Sequence, residues 1–334
     1  MKIAVDVMSG ESDPEVLIKG AVAALYDSDV EVALVGDEKT IFNILKQQEY
    51  PSKRVSVVHA SDVITMDESP AKACRSKQDA SVMVASNLVA KKEADGFFSP
   101  GNTGATLTAS LMNIKRISGV SRPAIAIMIP TVKGHTLLLD AGANVDCTPK
   151  YMAEFGIMGE IFMKHVIGVK NPKIALLNIG EESKKGNELV LKSYEIMKEI
   201  DFNFVGNVEG HEVFEGEVDV IVCDGFTGNV VLKLSEGLGS IIMRLIKNEI
   251  IQNFSYRLGA YMAKGAFHNV KKRLNPETYG GAPLLGINGC SIVGHGSTNE
   301  IATKNGIHTA EKIINAGINT LIKDHIKQYL KDVE

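Results

Sequence analysis

The chain has no tryptophan, and its remaining aromatics make up only 6% of it. That shortage argues against the stacked aromatic surface on which single-stranded nucleic acids are bound. A formal net charge of −4 likewise argues against nucleic acid as a partner. Cysteine is sparse: Cys74, Cys147, Cys223 and Cys290 form no CxxC pair and no Cys/His cluster with zinc spacing. Buried, reduced thiols in a cytoplasmic protein are expected, with no disulfide framework and no metal. No apolar run approaches the ~20 residues of a membrane span, and the first ten residues read as a strand and a turn rather than a signal peptide. A GxGxxG fingerprint after the first strand and a GxxxxGK[ST] loop are both missing. A Rossmann dinucleotide or a P-loop nucleotide is therefore disfavoured, and no cofactor is expected.

What is present is a rhythm. Apolar runs at 3–7, 32–35, 55–58, 174–177 and 218–223 have the length of buried strands, and amphipathic stretches at 14–25, 39–47, 80–91 and 188–200 fall between them. This βαβα order predicts a mostly parallel sheet with helices on both faces. The runs 124–129 and 136–140 are joined by a segment too short for a helical crossover. They predict a hairpin, hence a mixed sheet. With 45% hydrophobic residues and no Pro/Ser-rich linker, one α/β domain over residues 1–334 is expected, with an ample core.

Four strand-to-helix junctions repeat one local chemistry. They are Ser99-Pro100-Gly101-Asn102-Thr103-Gly104, the loop 180–187 ending in Lys184-Lys185-Gly186-Asn187, Asp224-Gly225-Phe226-Thr227-Gly228-Asn229, and Gly294-His295-Gly296-Ser297-Thr298-Asn299. Glycines let a backbone approach a ligand, and Asn, Thr or Ser can cap the following helix. Helix N-termini present free N–H groups that suit a phosphate, and in an open parallel sheet such loops line the carboxyl edge. Each loop alone reads equally as a well-capped turn; several converging predict an anion site.

Together these loops resemble the acyl-ACP:phosphate acyltransferase family of bacterial phospholipid synthesis. The matching residues are 2–10, 98–105, 122–126, 140–147, 178–189, 206–210, 222–236, 279–286 and 294–299, of which VCDGFTGNVVLKLSE at 222–236 is nearly diagnostic. Two departures stand out: the first turn reads Asp6-Val7-Met8-Ser9-Gly10-Glu11 where the family has two glycines, and Pro100 replaces a small residue. The loop order is also similar to that of the phosphotransacetylases. The resemblance implies a three-layer α/β/α sandwich of the isocitrate/isopropylmalate dehydrogenase type, a homodimer, and transfer of a long acyl group from acyl carrier protein to inorganic phosphate. It further implies hand-off of the acyl phosphate to a glycerol-3-phosphate acyltransferase, and peripheral association with the membrane.

Attack of phosphate on a thioester needs both substrates held, an oxyanion stabilised and a thiolate managed. Phosphate holding is assigned to Asn102, Thr103 and Gly104, with Lys185 supplying charge. Asn187 and Asn229 would orient phosphate or carbonyl, and Asp224 or His295 would exchange a proton. Ser99, Gly101, Asn144, Thr227, Gly228, Gly296 and Ser297 complete the expected substrate-binding set. The plainer readings are that Asp224 caps its loop, that Glu181 and Glu182 pair with lysines, that aspartates 6, 140, 146 and 224 cap loops rather than bind metal, and that Cys223 is buried and inert.

From 240 to 273 the chain carries Arg244, Lys247, Arg257, Lys264, Lys271, Lys272 and Arg273 against one acid, Glu249. Helices are predicted at 240–252 and 254–267, the second with Phe254, Leu258, Tyr261 and Met262 on one face. Such a basic amphipathic segment suits an anionic membrane surface or an acidic carrier protein. Ordinary core or a dimer contact is the alternative. Competing functions are a short-chain acyl-CoA phosphotransacetylase, a dehydrogenase of the isocitrate type, and a non-catalytic membrane-associated scaffold.

Overall fold

The computed structural model describes residues 1–274 and 279–333. The strands are β1 (Lys2–Asp6), β2 (Glu31–Gly36), β3 (Val55–His59), β4 (Gly96–Ser99), β5 (Ala124–Thr131), β6 (Gly134–Leu139), β7 (Ile174–Asn178), β8 (Phe204–Glu209), β9 (Val220–Val222), β10 (Ala282–Leu285) and β11 (Cys290–Val293). The helices are α1 (Pro14–Ala24), α2 (Glu38–Leu45), α3 (Pro70–Ser76), α4 (Ser81–Ala90), α5 (Thr103–Ala109), α6 (Pro149–Phe162), α7 (Glu188–Met197), α8 (Gly225–Gln252), α9 (Phe254–Met262), α10 (Lys264–Leu274), α11 (Glu300–Ala316) and α12 (Ile318–Val333).

The strands form one sheet in the order β3-β2-β1-β4-β11-β10-β5-β6-β9-β7-β8. Alternating residues divide it into two buried faces, as the period of two requires. Ile3, Val5, Leu137, Leu139, Ile174, Leu176, Val220 and Val222 pack with α1, α2, α6, α7, α11 and α12. Ala4, Phe97, Leu138, Ala175, Leu177 and Ile221 pack with α3, α4 and α5 on the other side. The molecule is thus an α/β/α sandwich. The hairpin is present: β5 and β6 pair antiparallel from Ala126–Leu139 to Thr131–Gly134.

The sheet is mixed and mostly parallel, as expected, but its strands do not all run in one direction. β1, β2, β3, β4 and β11 are mutually parallel, and β6, β7, β8 and β9 are mutually parallel. Between them the pairs β10/β11, β10/β5 and β5/β6 are antiparallel. Three reversals leave the two parallel halves pointing in opposite senses, so their carboxyl ends do not share one edge.

The basic segment also differs from its prediction. Helix α8 runs unbroken for 28 residues, and the stretch expected as one helix at 254–267 breaks at Ala263 into α9 and α10. Beyond its first turns α8 is exposed, and Val230, Leu234, Leu238, Ile241, Ile242 and Leu245 form one apolar stripe along it. Leu258 is exposed on α9, and Tyr261 and Met262 are more than three-quarters exposed. Arg244, Lys247, Arg257, Lys264 and Arg273 are exposed as well, while the side chains of Lys271 and Lys272 lie outside the described residues. Among the described residues, no helix is long and apolar enough to cross a membrane.

Candidate active site

The predicted loops gather into two groups. The first stands at the carboxyl ends of β1, β4 and β11. Its hub is Asp6, fully buried, which accepts the N–H groups of Met8 and Ser9 at 3.2 and 3.1 Å and the hydroxyl of Ser99 at 2.7 Å. Ser99, predicted to touch phosphate, is therefore buried and committed to the loop's own frame. Gly101 is buried against Ser9. Gly10 has φ +92°, and a Cβ there would come within 2.8 Å of the Pro100 carbonyl and 3.0 Å of the Gly296 carbonyl, so only glycine fits. Glu11 N–H donates to the Gly296 carbonyl at 2.8 Å, and the Ser12 hydroxyl to the Thr298 carbonyl at 2.6 Å.

Asn102 caps α5 by accepting the Ala105 N–H at 3.1 Å. Its amide donates to the Met66 carbonyl at 3.1 Å and the Glu68 carbonyl at 3.3 Å, pinning the 65–68 turn. The side chain assigned to phosphate is thus spent on scaffolding. Thr103 is exposed beside it and Gly104 half-buried. His295 and Ser297 are exposed on either side of buried Gly296. His295 Nδ1 accepts the Ser297 N–H at 3.2 Å and lies 2.8 Å from its hydroxyl. In the neutral ring this leaves the proton on Nε2.

The second group stands at the carboxyl ends of β6, β9 and β7. Asp140, fully buried, accepts N–H groups from Ile125, Gly142, Ala143 and Asn144 and the Asn144 amide, at 2.7–3.1 Å. Burial pushes its carboxyl up against the pull of these donors. Asn144 also donates to the Pro123 carbonyl at 2.8 Å, and its own carbonyl accepts the Gly225 N–H at 2.7 Å. Asn144, named as substrate-binding, is a tie between loops. A Cβ on Gly228 would fall 1.9 Å from the Asp140 carbonyl, so α8 meets this loop through bare backbone. Thr227 gives both its N–H and its hydroxyl to Asp224. Asn229 is exposed next to Gly142. Cys223 is buried, and burial drives its thiol well above the usual range.

In the β7 loop, Asn178 donates to the Lys185 carbonyl at 2.9 Å, Asn187 caps α7 through Val190 N–H at 2.9 Å, and Lys185 Nζ lies 3.1 Å from Glu182. Asn207 on β8 donates to the Glu182 carbonyl at 3.1 Å. Neither Asn178 nor Asn207 was singled out by sequence reasoning; Asn178 ends an apolar run and Asn207 lies within β8, positions shared with many ordinary asparagines. The contacts unite Asn144, Asp224, Thr227, Gly228 and Asn229 in one group and Ser99 to Gly104 with His295 to Ser297 in the other. No described hydrogen bond joins the two groups.

A sandwich with reversed halves and glycine-rich loops at both sets of carboxyl ends defines a phosphotransacetylase-type α/β fold. The structure superposes on a phosphotransacetylase from Streptococcus pyogenes with a TM-score of 0.64 at 18% identity, covering 95% of this chain and 94% of that one. A 4-hydroxythreonine-4-phosphate dehydrogenase from Klebsiella pneumoniae shares the fold at a TM-score of 0.54 and 14% identity, covering 94% and 99% of the two chains. The chain belongs to the family described as "Fatty acid synthesis protein", which it matches over residues 1–321. Its relatives include a phosphate acyltransferase of Leptospira biflexa, 47% identical over 98% of both chains. Another is that of Elusimicrobium minutum, 48% identical over 98% of this chain and 97% of the other. The family is thus one of acyltransferase enzymes.

Proposed function

We propose that this enzyme transfers a long-chain acyl group from acyl carrier protein to inorganic phosphate, yielding an acyl phosphate for a glycerol-3-phosphate acyltransferase. The single observation that carries the long-chain reading is the exposed apolar and basic arm of α8–α10 on a phosphotransacetylase fold. An acetyl-CoA enzyme has no use for such a surface. A chain that must leave a carrier, or approach an anionic membrane, does.

The two loop groups leave opposite strand ends, but sheet twist narrows the gap. At about 20–25° per strand, the five steps from β4 to β9 turn the sheet by roughly 100–125°, so the reversed strands point within roughly 55–80° of the first set. Both groups then tilt toward one cleft. Phosphate would lie on the β6/β9/β7 side with Asn229, Asn187 and Lys185. Lys185 can leave Glu182 cheaply, because an exposed pair contributes only about 0–1 kcal/mol. The thioester would lie on the β4/β11 side, with Thr103 and Gly104 near its oxygen and the Nε2–H of His295 free to hydrogen-bond the leaving thiolate, which would take its proton from the attacking phosphate. Asp224 keeps its place as the cap that aims α8.

The reaction forms one P–O–C bond and breaks one C–S bond: a phosphate oxygen attacks the carbonyl, the oxyanion collapses, and the thiol departs with a proton. The enzyme would work as a homodimer, cytoplasmic and peripherally bound. Acyl phosphate trapped with hydroxylamine from palmitoyl-carrier protein and from acetyl-CoA, with and without phosphate, tests the reading. Product from the long-chain carrier alone upholds it. Product from acetyl-CoA alone makes this a short-chain phosphotransacetylase, and none from either revives the scaffold.

A further inference from the structure

We infer that Arg122 is a binding residue for a phosphate group in the second loop group, an inference that rests on the reading above. Arg122 lies just before β5. Because β5 runs antiparallel to β6, its entering end stands beside the loop that leaves β6. The residues flanking Arg122 are fixed. The Ser121 N–H and hydroxyl donate to buried Glu154 at 2.8 and 2.7 Å, and the Pro123 carbonyl accepts the Asn144 amide at 2.8 Å. Asn144 in turn holds Gly225 at the start of α8.

The side chain is exposed, and its guanidinium sits 5.9 Å from the centroid of the Tyr151 ring. Among the described residues, no carboxylate lies within ion-pair distance of it. A cation–π contact at this distance holds the fork near the Tyr151 ring while leaving its N–H edge open. A solvated surface arginine needs neither pinned neighbours nor an aromatic bed.

The chemistry around it calls for such a cation. The loops at 6–12, 99–104 and 294–299 contain no lysine or arginine. In the second group the cation placed with phosphate, Lys185, also neighbours Glu182, and the carboxylates of Asp140 and Asp224 add negative charge, so one cation leaves a phosphate dianion only partly balanced. A guanidinium can grip two phosphate oxygens at once. The phosphate group has two chemical sources, inorganic phosphate itself or the phosphate of the donor's pantetheine arm.

The test compares wild type, Arg122→Gln and Arg122→Lys. Thermal midpoints are followed against inorganic phosphate without acyl donor, and KM is determined separately for phosphate and for palmitoyl-carrier protein. Loss of one charge-assisted contact predicts a rise of about tenfold or more in one KM, with kcat less affected and partial rescue by lysine. If inorganic phosphate is the ligand, its KM rises and phosphate no longer stabilises Arg122→Gln. If the donor's phosphate is the ligand, the KM for carrier rises and the stabilisation by phosphate persists. Arg122→Gln matching wild type in both KM values and in phosphate stabilisation overturns the inference while leaving the acyl-transfer reading intact. Should wild type make no acyl phosphate, that reading falls, and the thermal measurement alone decides for or against Arg122.

Discussion

Asp224 gives both carboxylate oxygens to Thr227: Oδ1 accepts the backbone N–H and Oδ2 the hydroxyl, each at 2.8 Å. This is an N-cap, and it explains the residue without any part in proton transfer. Asp224→Ala is expected to lose about 1 kcal/mol of stability in urea, and Asp224→Ser to keep most of it. Asp224→Ser should also keep its turnover. A fall of about 10²–10⁴-fold with an unchanged urea midpoint would return Asp224 to proton transfer.

Asp140 accepts five N–H donors, four from the loop that leaves β6 and one from Ile125 on β5. Asp140→Asn removes an acceptor oxygen and sets an N–H against the Asn144 donors. A loss on the order of 3 kcal/mol is expected, read as a lower urea midpoint. Activity should fall with it, since Gly142, Asn144 and Gly225 all hang on this side chain.

Glu68 holds the turn on which Asn102 rests. The Thr65 N–H, then the Lys77 ammonium, keeps its carboxyl below the ordinary glutamate range. A lowered folded pKa adds stability above the unfolded value, and this is lost as pH falls through the folded one. Wild type should therefore exceed Glu68→Gln in urea midpoint at neutral pH, and the two should converge in acid. Parallel curves would mean that the carboxylate is not what holds the turn.

Leu258 on α9 is more than half exposed. If α9 meets a membrane as proposed, replacing Leu258 with glutamate would remove an apolar insertion worth about 1.5–3 kcal/mol and add like charge toward an anionic surface. Sedimentation with phosphatidylglycerol vesicles should show at least about tenfold weaker binding for Leu258→Glu. Equal binding would overturn membrane association through this helix.

Cys223, Cys74 and Cys290 are buried, and burial raises all three thiols, that of Cys290 to about 12. Iodoacetamide should leave them unmodified in the native protein, and Cys223→Ala should retain turnover. An acyl group found on Cys223 by mass spectrometry would replace direct attack by phosphate with a covalent route.

The layers of the fold were legible because each strand writes its two faces locally: Ile3 and Val5 go one way and Ala4 the other. The reversal of the halves was not. It depends on β10 entering between β11 and β5, a pairing of residues such as Leu284 and Ile125 that no local pattern encodes. For the site, residue types at the loops were readable and their allegiance was not. Asn102 and Asn229 look alike in sequence, yet one is bound into three carbonyls' reach and the other is exposed. Arg122 opens the matching stretch at 122–126, but nothing in its residue types or spacing marks it as a ligand. Its standing comes from Tyr151 and from neighbours pinned by distant parts of the chain.

The close seat of Gly228 on Asp140 gives α8 the character of a lever. Its first turn is clamped to the loop beside Asn229, and a helix of 28 residues extends about 42 Å at 1.5 Å per residue. A tilt of about 5° at the clamp would carry the far end through nearly ~4 Å on that length. Whatever grips the arm at its tip can therefore tug on the loop of Asp140 and Gly142, and a displacement of that loop would shift the tip in return.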